Sequence, residues 1–343
     1  MASLAQDRLL AFAGKAGAFA AARALTGTSL RILAYHGLWV TPGFAFGDRL
    51  FMSPEQFARR MTWLARSRYP VLPLDEAVER LREKTLPPGA VVITIDDGWQ
   101  STYTHMLPIL ERLKLPASVY VTTYHVEKRA PVINVAITYL AQASPRTVVQ
   151  LDDLPIGGVH ALDTLAARNA LGRKLGLAID QLPTLDQRLD ALRVAADRFG
   201  VPIDPWWANG QFHCMAADEV ADAHRRGLDI QLHTHRHRGV MEGTLAAELS
   251  DNRAALARAC GKTAFQHFCY PSGQYVPAAE ATLAAAGIRS ATLVEHGINP
   301  PGTHPYRLRR FLDGRSVSQA VFEAYLSGVL EIAARGTGKR DGA

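Results

Sequence analysis

Cysteine is scarce in this sequence. The 343 residues contain three, Cys214, Cys260 and Cys269, which are too few and too scattered for a disulfide framework or a four-cysteine zinc site. Long hydrophobic runs are missing as well, since no stretch reaches the ~18 uninterrupted apolar residues of a membrane-spanning helix. No glycine-rich phosphate loop follows any strand-like segment, which argues against a nucleotide-binding sheet.

The composition is that of a folded protein with a mild basic excess. Hydrophobic residues make up 48% and charged residues 20% of the chain, so a large core is available and overall disorder is excluded. Lys and Arg number 38 against 32 Asp and Glu, for a net charge of +6. No long Lys/Arg stripe accompanies this excess, so we expect no nucleic-acid partner. The length suits two domains or one α/β barrel.

The N-terminal segment, residues 1–28, contains an alanine-rich apolar stretch. Lys15 and Arg23 interrupt the stretch, and Asp7 stands beside Arg8 ahead of it, a pattern that fits a cleaved signal peptide poorly. We expect an amphipathic helix here, either packed on the domain or lying on an anionic membrane face with Arg8, Lys15 and Arg23 toward the headgroups. The lack of a secretion signal predicts a cytoplasmic location, free or at the inner membrane face.

Short apolar segments typical of buried strands alternate with helix-like segments along most of the chain. The strand-like segments are 30–36, 90–95, 117–123, 228–232, 265–270, 289–294 and 307–312. Near-continuous apolar strands with helices between them indicate a parallel sheet covered on both faces, which is a barrel or a doubly wound sheet. We assign residues 29–124 and 211–335 to this part of the fold.

Residues 125–210 interrupt the alternation. They contain helix-like segments at 161–175 and 185–199, so we interpret them as a mainly helical insertion on one face of the main fold. Insertions of this kind often shape access to a site. Trp206 and Trp207, near its end, are suited either to stacking on a sugar ring or to packing in a core.

Two adjacent carboxylates, Asp96 and Asp97, follow the strand-like segment 90–95. Burying two anions together costs free energy unless a cation neutralises them, so a metal or an arginine partner is expected. An ordinary polar turn is the alternative interpretation, because Asp97-Gly98 is a common turn pair.

Three histidines, His233, His235 and His237, follow the strand-like segment 228–232. Imidazoles suit borderline divalent metals, Zn²⁺ above all, and an exposed basic loop is the alternative. Spacing alone leaves open which two of the three bind. Two histidines and one carboxylate leave positions open on a metal, as in catalytic sites. Because the carboxyl ends of parallel barrel strands face one side, we expect these histidines and the two carboxylates to converge.

Two further strand ends should reach the same rim. His36 follows the first strand-like segment, and the Pro271-Ser272-Gly273 turn follows Cys269 and Tyr270. The amides of that turn are suited to form an oxyanion hole.

Together these residues resemble the polysaccharide deacetylase family, also known as the NodB-homology domain or carbohydrate esterase family 4. The Thr-Ile-Asp-Asp-Gly run at 94–98 is similar to the family's Asp-Asp motif, and residues 233–237 fit its His-(Ser/Thr)-x-x-His motif. The turn at 270–273 is similar to its aromatic-Pro-Tyr-Gly turn. The early Ala-Tyr-His-Gly and the Phe-x-x-x-Met-x-x-Leu helix after it resemble the branch whose catalytic histidine precedes the Asp-Asp motif, which includes poly-N-acetylglucosamine deacetylases. The resemblance covers residues 30–125 and 212–315.

The resemblance implies a distorted parallel (β/α) barrel that hydrolyses an N-acetyl group with the help of one divalent metal. Asp96 would be the general base, and His36 would protonate the leaving amine. The Ser272 amide would stabilise the oxyanion. The metal ligands would be Asp97, His233 and His237. A base and an acid of this kind predict a bell-shaped pH–rate profile.

The sequence departs from the family pattern at two positions. Ser272 stands where the family has tyrosine, and Cys269 stands where many members have arginine. Arg309 or Arg310 is expected to neutralise Asp96 instead, and we favour Arg310. The residues expected to contact substrate are Trp99, Tyr270, Pro271 and Gly273.

We expect the substrate to be an N-acetylhexosamine in a glycan or in a lipid-linked glycan intermediate. An O-acetyl esterase, or an amidase acting on a non-sugar amide, is the alternative on the same metal site, and a glycan-binding pseudoenzyme is the third interpretation. Zn²⁺ is the default metal for two histidines and an aspartate, although Co²⁺, Ni²⁺ or Mn²⁺ can occupy such a site.

Overall fold

A computed structural model describes residues 4–238, 240 and 243–336. Within them, seven parallel strands close into a barrel, which confirms the predicted distorted (β/α) barrel. The barrel strands are β1 (Arg31–Tyr35), β4 (Val91–Ile95), β5 (Ser118–Val121), β8 (Asp229–Leu232), β9 (His267–Cys269), β10 (Ser290–His296) and β11 (Leu308–Leu312). Two short pairs lie outside it: β2 (Gly37–Leu38) with β3 (Phe51–Met52), and β6 (Val148–Gln150) with β7 (Val159–Ala161).

The barrel order is β1-β11-β10-β9-β8-β5-β4. β1 closes the ring, because it pairs with β4 along its whole length and with β11 on its other side. Alternate residues of a strand face opposite sides of a sheet. In β4, Val91, Ile93 and Ile95 belong to the apolar core that also holds residues of the surrounding helices, whereas Thr94 lies on the face that also carries Asp96.

Helices cover the outside of the barrel. They are α1 (Leu4–Lys15), α2 (Ala18–Leu25), α3 (Pro54–Arg66), α4 (Leu74–Glu83), α5 (Leu107–Leu113), α6 (Thr123–Lys128), α7 (Ile133–Ala143), α8 (Leu165–Asp180), α9 (Leu185–Phe199), α10 (Asp204–Ala208), α11 (Ala217–Arg225), α12 (Leu245–Cys260), α13 (Ala279–Ala285), α14 (Gln319–Ser327) and α15 (Val329–Gly336). One π-helical turn (Thr102–Met106) precedes α5, and 3₁₀ turns span Pro271–Gly273 and Pro305–Arg307.

The N-terminal segment forms two helices rather than the single one expected. Gly17 separates α1 from α2 with φ 86°, a left-handed conformation that glycine adopts without a steric penalty. Arg31 attaches the segment to the barrel, because its buried guanidinium donates to the carbonyls of Thr26, Ser29 and Leu326 at 2.9, 2.6 and 2.8 Å. Across the described residues, no helix combines the length and the apolarity that crossing a bilayer requires.

The insertion is mainly helical and has a core of its own. α7, α8 and α9 pack together around a cluster that includes Leu140, Leu175 and Phe199. Its helices approach closely at Gly172, where a Cβ atom would lie 2.8 Å from the Thr138 backbone. The antiparallel pair of β6 and β7 in this region was not predicted, since each strand has three residues. The cluster continues into Trp39, Phe51 and Trp99 beside the barrel, so the insertion rests on the same end of the barrel as Asp97.

Candidate active site

The two carboxylates at the end of β4 are both buried, with Asp96 2% and Asp97 7% exposed. They turn in different directions. Asp96 continues the strand and points into the barrel, where Arg310 of β11 meets it. The Arg310 Nη1 and Nη2 atoms lie 2.7 and 2.8 Å from Oδ1 and Oδ2 of Asp96, a bidentate arrangement that matches the planar guanidinium to the carboxylate.

Arg310 is fixed by the barrel around it. Its Nε donates to the Leu293 carbonyl at 2.8 Å, and its Nη2 donates to Cys269 Sγ at 3.0 Å. Cys269 therefore occupies the space beside the ion pair where many family members are expected to carry arginine. The neighbouring Arg309 hydrogen-bonds Asn299 through its backbone, so the structure brings Arg310 rather than Arg309 to Asp96.

The Asp96–Arg310 pair sets the charge state of the carboxylate. Burial opposes the ionisation of Asp96, but the Arg310 charge and its hydrogen bonds hold the pKa of Asp96 below the usual value, with a smaller effect from His36. Asp96 therefore stays ionised throughout the neutral range. A low pKa also makes it a weaker base, so its proton affinity depends on how tightly Arg310 holds it.

Asp97 faces outward to the histidines. Its φ of 69° turns the backbone away from the strand, and the Trp99 indole donates to its Oδ2 at 2.8 Å. Its Oδ1 lies 3.2 Å from Nε2 of His233 and 3.2 Å from Nε2 of His237. Burial opposes ionisation, yet protons on the two imidazoles hold the pKa of Asp97 well below its usual value as long as no metal lies between the three side chains.

These three side chains fit a divalent metal. His233 Nδ1 lies 2.8 Å from the Cys269 carbonyl, which can only accept, so Nδ1 carries the proton and the Nε2 lone pair of the neutral ring points at Asp97. Asp97 Oδ1 is buried and accepts no hydrogen bond from any residue that the structure describes. The ligand atoms of the three side chains lie within 4.8 Å of one another, and the lone pairs of the neutral rings repel the Asp97 carboxylate unless a metal ion lies between them. In the metal-free site a proton on His233 takes that place, which is why burial is outweighed and the pKa of His233 is raised well above its usual value.

A second cluster, Asp96, His233 and Cys269, also has its potential ligand atoms within 4.8 Å of one another. Arg310 already binds both oxygens of Asp96 and donates to the cysteine sulfur. The guanidinium charge disfavours another cation there, so the cluster of Asp97, His233 and His237 is the candidate metal position.

Helix α12 holds the histidine loop in place. Asn252, which is fully buried, accepts from the His233 amide at 3.0 Å and donates to the Val121 carbonyl at 3.0 Å. One turn earlier, Glu248 accepts from the Arg236 amide at 2.8 Å. Sequence reasoning missed both residues, because a polar residue inside a helix gives no sign of which loop it supports.

His235 points away from the two metal-facing histidines. Its Nδ1 lies 2.8 Å from Thr123 Oγ1, and its carbonyl accepts from the Thr122 hydroxyl and the Tyr124 amide. The structure therefore groups His233 and His237 with Asp97 and gives His235 a place in the loop's support.

Two other predicted residues reach the same rim. His36 Nε2 lies 3.7 Å from Asp96 Oδ2, and its side chain is 18% exposed. Ser272 adopts φ 55° and lines the same cavity as Asp97 and His237. The neighbouring Gly273 and Gln274 amides donate back to carbonyls of the turn.

The predicted substrate contacts divide into two groups. Trp99 lines the cavity. Tyr270, Pro271 and Gly273 are not among the residues that line it; Tyr270 packs edge-on against Phe268 with ring centroids 5.2 Å apart. These three shape the turn that presents Ser272. Trp206 is fully buried in the core of the insertion.

The cavity above the site has a volume of about 850 Å³ and reaches into the insertion. The side chains that the insertion contributes, which the sequence did not single out, are Val132, Asn134, Val135, Leu177, Asp180, Gln181 and Arg188. His125 also lines it, and burial lowers the pKa of His125 to about 4, so this imidazole is neutral near pH 7.

Comparison with known proteins agrees with this geometry. The family model for polysaccharide deacetylase matches residues 83–149 and 180–291. Over a segment of 73 residues, the chain is 41% identical to the poly-β-1,6-N-acetyl-D-glucosamine N-deacetylase of Escherichia coli strain K12. This segment makes up 20% of this chain and 11% of that protein. The chain thus corresponds to a small part of this curated relative.

Solved structures share the fold. The Streptococcus pyogenes deacetylase PplD, in complex with acetate, superposes with a TM-score of 0.58 at 15% identity, over 88% of this chain and 99% of that one. IcaB from Ammonifex degensii superposes with a TM-score of 0.53 at 17% identity, over 87% of this chain and 97% of that one.

Replacing Arg310 with methionine should destabilise the protein by roughly 3–5 kcal/mol at neutral pH, because Asp96 is left buried and unpaired. In the wild type the depressed pKa of Asp96 adds stability above the unfolded pKa, and this is lost as pH falls through the folded pKa. The difference between the two proteins should therefore shrink as pH falls through the pKa of the unpaired carboxyl in the variant, which burial raises above its usual value. Urea unfolding at several pH values measures it. Arg309→Met is the control, and an equal, pH-independent loss in both variants would contradict the pairing.

Zinc titration of the metal-free protein tests the ligand set. Asp97→Ala, His233→Ala and His237→Ala should each weaken zinc binding by at least about 100-fold, because each removes one of three protein ligands. His235→Gln should change it far less, since His235 supports the loop from the other side. Isothermal titration calorimetry gives the affinities, and a loss at His235 as large as that at His237 would overturn this assignment.

Proposed function

The chain belongs to the polysaccharide deacetylase family, and we propose that its barrel-rim site removes the acetyl group from an N-acetylhexosamine in a glycan or a lipid-linked glycan intermediate. The observation that carries this proposal is the division of labour between the adjacent carboxylates. Asp96 is neutralised by Arg310 inside the barrel, and Asp97 faces two imidazole lone pairs. One carboxylate is thus available for proton transfer and the other for a metal.

The family implies a divalent metal, and we assign Zn²⁺ to the Asp97, His233 and His237 side chains. Bound there, such an ion supplies Lewis acidity that polarises an acetamide carbonyl and acidifies water. His233 is ready for this role because the Cys269 carbonyl fixes its tautomer. Trp99 holds the second oxygen of Asp97, so Oδ1 is the oxygen that faces the ion.

Proton transfer is the task of the residues around Asp96. Its carboxylate accepts a proton as water attacks the acetamide carbon, while the Ser272 amide donates a hydrogen bond to the developing oxyanion. His36 donates a proton to the nitrogen as the carbon–nitrogen bond breaks, because an amine anion cannot leave. The products are acetate and a free amine. The 3.7 Å between His36 Nε2 and Asp96 Oδ2 supports the proposal that both side chains act on one acetamide group.

The insertion is the part that selects the substrate. Its α8 and α9 supply Asp180, Gln181 and Arg188 to the wall of the cavity. Arg188 uses Nε to hold the Leu182 carbonyl at 2.8 Å, which leaves its terminal nitrogens to donate to a ligand. These polar groups lie on one side of the cavity and suit sugar hydroxyls or an anionic group on the glycan. The cytoplasmic location remains a prediction.

Acetate release tests the reaction. Purified protein loaded with zinc is given N-acetylglucosamine oligomers and, separately, O-acetylated glycans, with Asp97→Ala and chelator as controls. We expect acetate from the N-acetyl substrates alone, and none in either control. Acetate from the O-acetyl substrates alone identifies an esterase, and oligomer binding without turnover identifies a glycan-binding pseudoenzyme.

The substitution Arg188→Ala tests whether the insertion contributes to substrate binding. Loss of a hydrogen bond from a charged group that contacts only remote parts of the substrate should raise KM about tenfold and leave kcat unchanged. Arg193→Ala is the matched control, because Arg193 lies on the same helix α9, is exposed and pairs with Asp190. KM and kcat are measured by steady-state kinetics on an oligomer from which the wild type releases acetate. An unchanged KM for Arg188→Ala would show that Arg188 does not contact the substrate.

A further inference from the structure

A basic groove lies at the opposite end of the barrel from the active site. It consists of two adjoining cavities of about 670 and 740 Å³ that share Arg23, Trp63, Arg68 and Tyr69. Its rim includes Gly27 and Thr28, which precede β1, and Leu86 and Pro88, which precede β4. The catalytic residues follow the same two strands, so the groove and the site are separated by the length of the barrel.

The groove has an unbalanced charge. Arg23, Arg59, Arg66 and Arg68 line the first cavity without a carboxylate, and Glu323 is the acidic residue of the second. None of these four arginines forms an ion pair with a residue in the described part of the chain. Some exposed arginines on other faces are paired, as Arg193 is with Asp190, so it is the clustering of four unpaired arginines around one groove that sets this surface apart. Four guanidinium groups with their charge uncompensated form a site for anions.

Exposed apolar side chains occur on both N-terminal helices, α1 and α2, and α2 lines the groove. Leu25 is 79% exposed and lines the groove. On α1, Leu9 and Phe12 are 66% and 71% exposed, and they lie three residues apart on one face of the helix together with Lys15. Arg23 lies over the Tyr69 ring, 5.4 Å from its centroid, which leaves an aromatic floor under the basic rim. Basic groups around exposed leucine and phenylalanine are typical of proteins that bind the surface of an anionic bilayer.

We propose that this groove and the exposed face of α1 dock the protein on a membrane surface that contains anionic phospholipids. The arginines bind lipid phosphates, and Leu25 and Phe12 enter the acyl boundary. A soluble polyanion would use the arginines but would gain nothing from exposed leucine and phenylalanine. The groove lies at the amino ends of the barrel strands, and the catalytic residues lie at their carboxyl ends. The docked protein therefore presents its active site away from the bilayer, toward a glycan that extends from the membrane.

Flotation with lipid vesicles tests the proposal. The full chain is mixed with vesicles of phosphatidylcholine or of an equimolar mixture of phosphatidylcholine and phosphatidylglycerol. We expect binding to the anionic vesicles. Arg66→Glu/Arg68→Glu should weaken it by roughly 30-fold or more, because each basic group near an anionic surface contributes about 1 kcal/mol, or about a fivefold factor. Leu25→Ser should weaken it too, and added salt should not remove that difference, since apolar insertion is not screened.

The matched control is Arg173→Glu/Lys174→Glu, on the exposed face of α8 in the insertion, which changes the net charge by the same amount. Equal losses in both double variants would mean that the basic chain is attracted without a site, and would overturn the proposal, as would a wild type that does not float with anionic vesicles. Displacement by inorganic phosphate at matched ionic strength would assign the arginines to a free anion instead. Acetate release from a soluble oligomer is measured in parallel and should be unchanged in the groove variants, so failure of either proposal is seen separately.

Discussion

The site depends on one constraint: two adjacent carboxylates must be buried at the end of a single strand. The structure meets it by turning them apart. Strand alternation sends Asp96 into the barrel, where Arg310 neutralises it. The left-handed backbone conformation of Asp97 turns its own side chain toward the histidines. If both faced the same way, a single cation would have to serve both charges. Because they diverge, Arg310 compensates the charge of Asp96 alone, and Asp97 is left to face the two histidines, as the proposed division between proton transfer and metal binding requires.

Much of this could be predicted from the sequence. The apolar runs gave the seven barrel strands within a few residues, because buried parallel strands are almost continuously hydrophobic. Polar residues directly after those runs, such as Asp96 and His233, pointed to the rim where strand ends converge. The supporting contacts could not be predicted, since they depend on register: the Cys269 carbonyl reaches His233 because β8 and β9 are neighbours. The α1–α2 break was missed because glycine in an alanine-rich segment does not by itself end a helix.

Backbone strain is concentrated at the site, which holds four of the seven non-glycine residues with positive φ in the described part of the chain. The other three, Lys84, Lys114 and Arg129, end helices. Asp97, Thr234, His237 and Ser272 have positive φ although none is glycine, and such residues cost of order 1–3 kcal/mol each. Hydrogen bonds from neighbouring elements maintain these conformations. In the histidine loop, Asn252 and Glu248 of α12 bind the backbone on both sides of the strained Thr234. The geometry of the metal ligands therefore depends on the docking of a helix that contributes no ligand.

Closure of the barrel completes the constellation. The family model matches residues 83–149 and 180–291, which include Asp96, Asp97 and the histidines but neither His36 nor Arg310. Those two residues come from the first and last barrel strands, and both contact Asp96 because β1 lies between β4 and β11. In an open sheet with the same strand order, β4 and β1 would lie at opposite edges, and Asp96 would lose its contact with His36 and its counter-charge together. The closed ring therefore completes the candidate site, because it brings His36 and Arg310 to the carboxylate that stands next to the candidate metal ligands.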